Sequence, residues 1–308
     1  MIINTGMRTD IPAFFSKWLF NRINEGFVLV RNPYNPQQVT RYRLTPDVVD
    51  CLAFCTKDPA PMLDRIHELV AFGQFWFVTI TPYGKEIEPN VPHYEEVIGS
   101  FKKLSSIIGA EKVSWRYDPI FINETYTLES HLESFEKMSD MLSGYTSNCV
   151  ISFIDLYEKT KRNFPGIRTV NREERFKLVE EFVRIGRTKN ISIKTCAEGK
   201  ELSRLGADCS GCMSKAVVEL AIGNTLLVPR RKPIREGCDC LLGNDIGAYN
   251  SCGHGCIYCY ANHDQKAVMI NLKKHDATSA FLLGGHMDGD IVSEGKQESY
   301  IDRQLSFF

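Results

Sequence analysis

The chain has 308 residues, 43% of them apolar and 24% charged, which is enough for one large α/β domain or two small ones. Thirty-seven Lys+Arg against 38 Asp+Glu give a formal charge of −1, which excludes a global basic field for nucleic acid and leaves only a local patch. No stretch reaches the ~20 apolar residues of a membrane span, and polar residues stand where a secretory h-region would in MIINTGMRTD, so a cytoplasmic, non-membrane protein is expected.

Along the first two-thirds of the chain, short β-rich runs alternate with amphipathic segments. Residues 2–3, 27–30, 48–54, 75–80, 113–115, 149–154 and 191–193 read as strands. Segments 12–24, 60–72, 93–108, 128–142 and 172–186 carry apolar residues three and four apart and read as helices. Pro59-Ala60-Pro61 opens one of them, and Thr127 with Glu129 and Ser130 opens another. Six or seven β–α units in succession imply a parallel sheet with right-handed crossovers. No G-x-G-x-x-G follows the first strand, and polar groups recur after nearly every strand, so the pattern predicts an α/β, (β/α) TIM-like barrel, full or partial. Three regions are expected. Barrel units fill 1–198, Cys-rich cluster-binding loops at 199–265 complete the barrel, and a tail over 266–308 packs on it as irregular cover.

In a parallel barrel the C-terminal strand ends converge on one mouth, where active sites lie. Arg8, Asp10, Lys57, Tyr83, Arg116, Asp118, Asp155 and Glu198 fall at such ends and are the candidate catalytic residues, able to grip a charged substrate and move protons. Asn32 and Thr56, at two further ends, are candidate cofactor contacts. Charged residues also cap helices, and Asp10 before Ile11-Pro12 reads equally well as an N-cap. The segment Trp115-Arg116-Tyr117-Asp118-Pro119 stands out because it leaves an apolar strand and packs unlike polar groups together.

Eleven cysteines, an odd number, argue against a disulfide scaffold and for metal or redox chemistry. Eight of them fall between Cys196 and Cys259, a clustering that a hydrophobic core does not need. In Cys252-x3-Cys256-x2-Cys259 the thiolates can wrap one side of a cubane, each on a different iron, with Gly253 and Gly255 allowing positive φ angles. Structural zinc would ask for a fourth ligand, from His254, His263 or another cysteine, so ligand count and spacing favour iron–sulfur. Cys196, Cys212, Cys238 and Cys240 form a second set of four, suited to a further [4Fe–4S] cluster or to zinc. Cys209 competes with Cys212, and spacing alone does not choose between them. Cys51, Cys55 and Cys149 sit in apolar strands and read as core.

CGHGCIYCYAN, with Tyr258 just before the last cysteine, resembles the signature of radical S-adenosylmethionine enzymes and is especially similar to the spore photoproduct lyase branch. The resemblance implies a [4Fe–4S] cluster on Cys252, Cys256 and Cys259 whose open iron chelates S-adenosylmethionine, with Tyr258 as a cofactor contact. It also implies a full or partial barrel, a reductant such as flavodoxin or ferredoxin, and a 5′-deoxyadenosyl radical that abstracts a substrate hydrogen. Those enzymes carry the motif right after the first strand, whereas here it follows every barrel unit. Either the barrel is circularly permuted, with 245–250 as the strand feeding the loop, or the cluster belongs to an appended module. Nearly the whole chain also resembles a bacterial family known only as domain of unknown function 1848. That likeness runs through RTDIPAFF at 8–15, VRNPYN at 30–35, TKDP at 56–59, WRYDPI at 115–120, SFIDLY at 152–157, TCAE at 195–198 and the cysteine motif. In its members a single cysteine follows a glycine placed like Gly206, which favours Cys212 over Cys209, and a tryptophan usually stands where this chain has Cys55.

The leading expectation is therefore an iron–sulfur enzyme of radical S-adenosylmethionine type acting on an unidentified polar substrate, a small molecule or one derived from nucleic acid. The rivals are an electron-transfer protein with fully ligated clusters and a barrel hydrolase with structural zinc. Two smaller signals remain. Gln304-Leu305-Ser306-Phe307-Phe308 resembles the peptide with which bacterial proteins dock on the sliding clamp, and Arg230-Arg231-Lys232 with Arg235 is the densest basic run. His93, His131, His275 and His286 show no ligand spacing and read as surface or core.

Overall fold

Runs of aromatic and β-branched residues form the centre of a parallel sheet in the computed structural model, which describes residues 1–156, 158–229, 238 and 240–303. The strands are β1 (Ile2–Asn4), β2 (Phe27–Arg31), β3 (Gln38–Arg43), β4 (Cys51–Thr56), β5 (Gly73–Thr79), β6 (Val113–Ile120), β7 (Asn148–Phe153), β8 (Ser192–Thr195), β9 (Asn244–Asp245) and β10 (Ile291–Glu294). The helices are α1 (Ile11–Phe14), α2 (Ser16–Glu25), α3 (Tyr94–Ile108), α4 (Leu128–Leu142), α5 (Glu158–Asn163), α6 (Arg172–Thr188), α7 (Lys215–Ile222) and α8 (Gln265–Lys273). Seven strands share one sheet in the order β8-β7-β6-β5-β4-β1-β9, and every neighbouring pair is parallel.

Central strands buried on both faces read as nearly continuous apolar runs, and β4 (CLAFCT) and β5 (GQFWFVT) do so. Alternate residues feed two cores. Leu52, Phe54, Trp76, Val78, Trp115 and Tyr117 point to one face and pack with the helices that cover it. Ile2, Cys51, Ala53, Phe75, Phe77 and Val150 point to the other, where Val218 and Ala221 of α7 meet them. On the first face the rings of Trp115, Phe135 and Phe182 stack in series, with centroids 4.8 Å and 3.9 Å apart.

The predicted barrel does not close. Strands β8 and β9 are the two edges of the sheet, and no pairing joins them among the described residues. One predicted strand, 27–30, is also absent from it. Residues 32–37, with Pro33 and Pro36, turn the chain tightly, and β3 returns antiparallel along β2 from Phe27↔Arg43 to Arg31↔Val39. So short a connection can only make an antiparallel neighbour, because a parallel crossover needs about a dozen residues. Strand β10 then adds to β3, giving a separate three-stranded sheet. The seventh place in the main sheet is taken by β9 instead.

Several predicted loops are ordered elements. The region read as cluster loops contains α7 and β9, and the tail read as irregular cover contains α8 and β10. Segment 60–72 winds as a 3-10 helix over Ala60–Leu69. Strand β9 is only two polar residues long and overlaps the strand expected at 245–250 under the permuted alternative at Asp245 alone. It exists because Gly243 lets the backbones close up, since a Cβ there would lie 1.9 Å from the Ile2 carbonyl oxygen. Among the described residues no helix is long and apolar enough to cross a membrane. The basic run at 230–232, Arg235 and the 304–308 peptide lie outside the described residues.

His131 of α4 is a core histidine. Its Nε2–H donates to the Phe121 carbonyl at 2.8 Å, so its Nδ1 accepts from the Tyr117 hydroxyl, also at 2.8 Å. Burial pushes its pKa down. The unfolded chain takes up a proton as pH falls below about 6.5 and the folded one resists, so this contribution to stability is present above that pH and lost below it. Urea unfolding at pH 7.5 and 5.5 should show the wild type losing up to about 1.4 kcal/mol more than His131→Gln over that interval. Equal losses in the two proteins would contradict this assignment.

Candidate functional site

Strand β9 delivers the chain, at the C-terminal end of the sheet, into the cysteine loop. Ile246 N–H continues the pairing to Asn4 O at 3.0 Å. Arg8, just beyond β1, clamps the same point, with Nε 2.7 Å from Asp245 Oδ1 and Nη2 2.7 Å from Asp245 O. The loop after β5 then holds the cysteine segment by its backbone. Asn90 N–H donates to His254 O at 3.0 Å, Ile257 N–H donates to Ile87 O at 3.1 Å, and Asn90 Nδ2 donates to Gly253 O at 2.8 Å. Gly255 has φ +72°, as the wrap requires. Gly253 is needed for room instead, because a Cβ there would sit 2.6 Å from the Phe14 ring.

Two buried polar knots tie this loop to the strand ends. Asp10 accepts from Ala13 N–H at 3.0 Å and from Lys57 N–H at 2.8 Å, and it meets His254 Nε2 at 2.9 Å. It is therefore both the predicted N-cap of α1 and a member of the site. His254 meets Asp10 through Nε2, while its Nδ1 faces Asn90 O at 3.4 Å. In the second knot Glu88 accepts from Lys57 Nζ and Thr81 Oγ1, both at 2.8 Å, and from the Tyr258 hydroxyl. Lys57 also stands 5.8 Å from the centre of the Tyr258 ring. Burial disfavours the Lys57 ammonium, but Glu88 and nearby Cys256 more than offset it, so its pKa is raised.

Burial pushes up the thiol pKa values of Cys252 and Cys256. For Cys252 the nearby Asp10, Cys259 and Cys256 add to the effect, and for Cys256 the Lys57 ammonium opposes it.

The second set gathers at the neighbouring strand ends on the α7 face of the sheet. Cys212 and Cys240 have sulfurs 3.3 Å apart, and Met213 N–H points at the Cys240 sulfur at 3.4 Å. Hydrogen bonding from Cys212 is the main reason that the Cys240 thiol is lowered to about 6, and Cys238 and Cys196 are within electrostatic reach of it. Cys209 points away, to Ala207 O at 3.8 Å, so Cys212 is the cysteine that joins the set. Among the described residues, however, no three His, Cys, Asp or Glu side chains converge as a finished metal site. Arg116 lies beside this set, with Nη2 2.6 Å from Asp118 Oδ2, and Cys196, Cys212 and Cys55 all act on its charge. Asp118 also accepts from Ser152, and Glu198 from Arg175 and from Phe153 N–H at 2.8 Å. Burial raises Glu198 to about 7, against the pull of Phe153 and Arg175.

The remaining predicted residues make the following contacts. The Tyr83 hydroxyl donates to Pro119 O at 2.6 Å, while its ring stacks 4.4 Å from Phe121 and stands 6.2 Å from the Tyr258 ring. Thr56 Oγ1 accepts from Asp58 N–H at 2.9 Å, and Asn32 caps the β2–β3 turn through Tyr34 N–H at 2.9 Å. Asp155 is exposed at the end of β7 and adds its charge to the field on Glu198. Cys51 and Cys149 are fully buried, as expected of core, while Cys55 is half-buried and its thiol is pushed up to about 11 by burial. Sequence reasoning missed Glu88, Asn90, Ser152 and Arg175. They lie in loops, a short strand or a helix whose residue types match dozens of surface positions.

Residues 2–261 match the family model described as a domain of unknown function (DUF1848). No curated protein and no solved structure matches the chain. The Lys57–Glu88 pair, with side chains 13% and 3% exposed, yields its own expectation. Glu88→Ala strands a buried ammonium and should cost about 3–5 kcal/mol in chemical denaturation, whereas Glu88→Ala with Lys57→Met should recover most of that. A loss below about 1 kcal/mol in the single variant would show the pair to be solvated.

Proposed function

The chain belongs to the DUF1848 family, and we propose that it is an iron–sulfur enzyme of radical S-adenosylmethionine type, with a [4Fe–4S] cluster on Cys252, Cys256 and Cys259. One observation carries the reading. The CxxxCxxC loop leaves the C-terminal end of β9, an edge strand of a seven-stranded parallel sheet, and β1 lies next to it. An edge strand followed by the cluster loop and then by successive parallel strands is the layout that a partial (β/α) barrel of this type uses. Here the chain order is permuted, because the leading strand in space comes late in sequence.

The bound cluster would supply one-electron reductive cleavage of S-adenosylmethionine, with electrons from a flavodoxin- or ferredoxin-like donor. The chain's own residues would do the rest. Asp10 and His254 hold the loop to the ends of β1 and β4. Lys57, Glu88 and Tyr258 form a buried polar wall beside Cys256, and Arg116 with Asp118 offers a paired charge to a polar substrate.

For Cys196, Cys212, Cys238 and Cys240 we propose a second [4Fe–4S] cluster. The 3.3 Å sulfur separation favours a second reading there, a single zinc ion. Thiolates about 2.3 Å from one tetrahedral zinc stand about 3.8 Å apart, and cubane ligands on separate irons are more widely spaced.

Anaerobic reconstitution with iron and sulfide should give about eight irons per chain, or about four with one tightly held zinc if the second reading is right. The reduced electron paramagnetic resonance signal should change shape on adding S-adenosylmethionine, and Cys256→Ala should abolish that change. An iron signal indifferent to S-adenosylmethionine would mean electron transfer instead. Zinc with no iron would end the radical reading.

A further inference from the structure

A cavity of about 860 Å³ opens away from the two polar knots, between the C-terminal end of β2, the segment 246–250 that follows β9, and residues 281–283. That volume lies within the usual range of small-molecule sites. Its walls are aromatic. Phe281, 3% exposed, is buried in the wall, while Tyr34 and Tyr260, 89% and 52% exposed, stand uncovered. Tyr249 completes the wall and stacks on His263 at 5.5 Å.

The two arginines of the lining are already paired. Arg8 is paired with Asp245, with Nε 2.7 Å from Oδ1. Arg31 is paired with Asp290, with Nη2 2.9 Å from Oδ2, and its guanidinium lies 4.9 Å from the Phe281 ring centre. Glu158 meets Lys161 at 2.8 Å, but its side chain is 89% exposed, so this carboxylate stays solvated at the rim. Among the described residues, then, the lining offers ring faces and no unpaired arginine or lysine. Hydrogen-bonding capacity remains, because the Ala248 and Tyr249 amides, on the chain that lines the cavity, take no protein partner among the described residues.

We propose that this cavity binds a neutral nucleoside. Aromatic faces stack any base, since every base has a π-face, and backbone amides can donate to the ring nitrogens or carbonyls along its edge. A phosphate would need an unpaired arginine or lysine, and here the arginines are occupied. The assignment goes beyond the iron–sulfur reading and does not depend on either cysteine set.

The test is calorimetric titration of the purified protein, without added iron or S-adenosylmethionine, with adenosine, guanosine, cytidine, uridine and their 5′-monophosphates. At least one nucleoside should saturate below about 1 mM, and its monophosphate should bind no more tightly. Tyr34→Ala removes a ring that is 89% exposed and so leaves the fold intact, and it should weaken that nucleoside about tenfold. Tyr249→Leu should weaken it comparably. The assignment is overturned if no nucleoside saturates in that range, if both variants bind like the wild type, or if a monophosphate binds more tightly than its nucleoside. Binding that develops only after iron loading would belong to the cysteine loop and would overturn it as well.

Discussion

Two residues of β9, Asn244 and Asp245, lie parallel to Ile3 and Asn4, and the position of the whole cysteine loop depends on that short pairing. Backbone pairing over so few residues is weak by itself. It is reinforced at Gly243, where the missing Cβ lets the strands approach, and at Asp245, whose carboxylate accepts from Arg8 and from the Met7 amide at 3.0 Å. The pairing brings a motif more than two hundred residues downstream against the first strand of the chain. The charged groups at the ends of β1 and β4 then come into contact with residues of the CGHGC segment.

Around that junction the molecule buries polar groups in pairs. Asp10 with His254, Lys57 with Glu88 and Arg116 with Asp118 are each at least partly desolvated and satisfied by further hydrogen bonds. Such pairs contribute little net stability over apolar packing, because desolvation offsets much of the Coulomb gain. What they contribute is position: a charge that loses its partner is heavily penalised, so each pair admits few alternative geometries. The aromatic stacks of Trp115, Phe135 and Phe182 on the helix-covered face supply the cohesion that lets the strand ends carry these polar groups.

The two cysteine sets are held differently. Cys252, Cys256 and Cys259 share one glycine-containing loop, so their spacing is set locally by the chain. Cys196, Cys212, Cys238 and Cys240 come from the end of β8 and from segments on either side of α7, and only the docking of α7 on the sheet brings them near one another. A local motif can be recognised without the fold, while a dispersed set acquires its meaning from it. The same distinction applies to the aromatic cavity, whose walls come from three distant parts of the chain.

By itself the sequence determined the parallel α/β character, six of the seven strands of the main sheet, the long helices and the cysteine loop. Each of these rests on periodicity or spacing within a few residues. Tertiary structure decided that the sheet stays open, because the tight turn at 32–37 sends β3 back along β2 and so removes β2 from the main sheet. It decided that β9 is a strand, because two polar residues become one only when a partner backbone supplies the hydrogen bonds. It also brought Glu88 and His254 against the strand ends and the cysteine loop. Glutamates and histidines are common in loops, and their significance here is conferred by buried neighbours that lie far away along the chain.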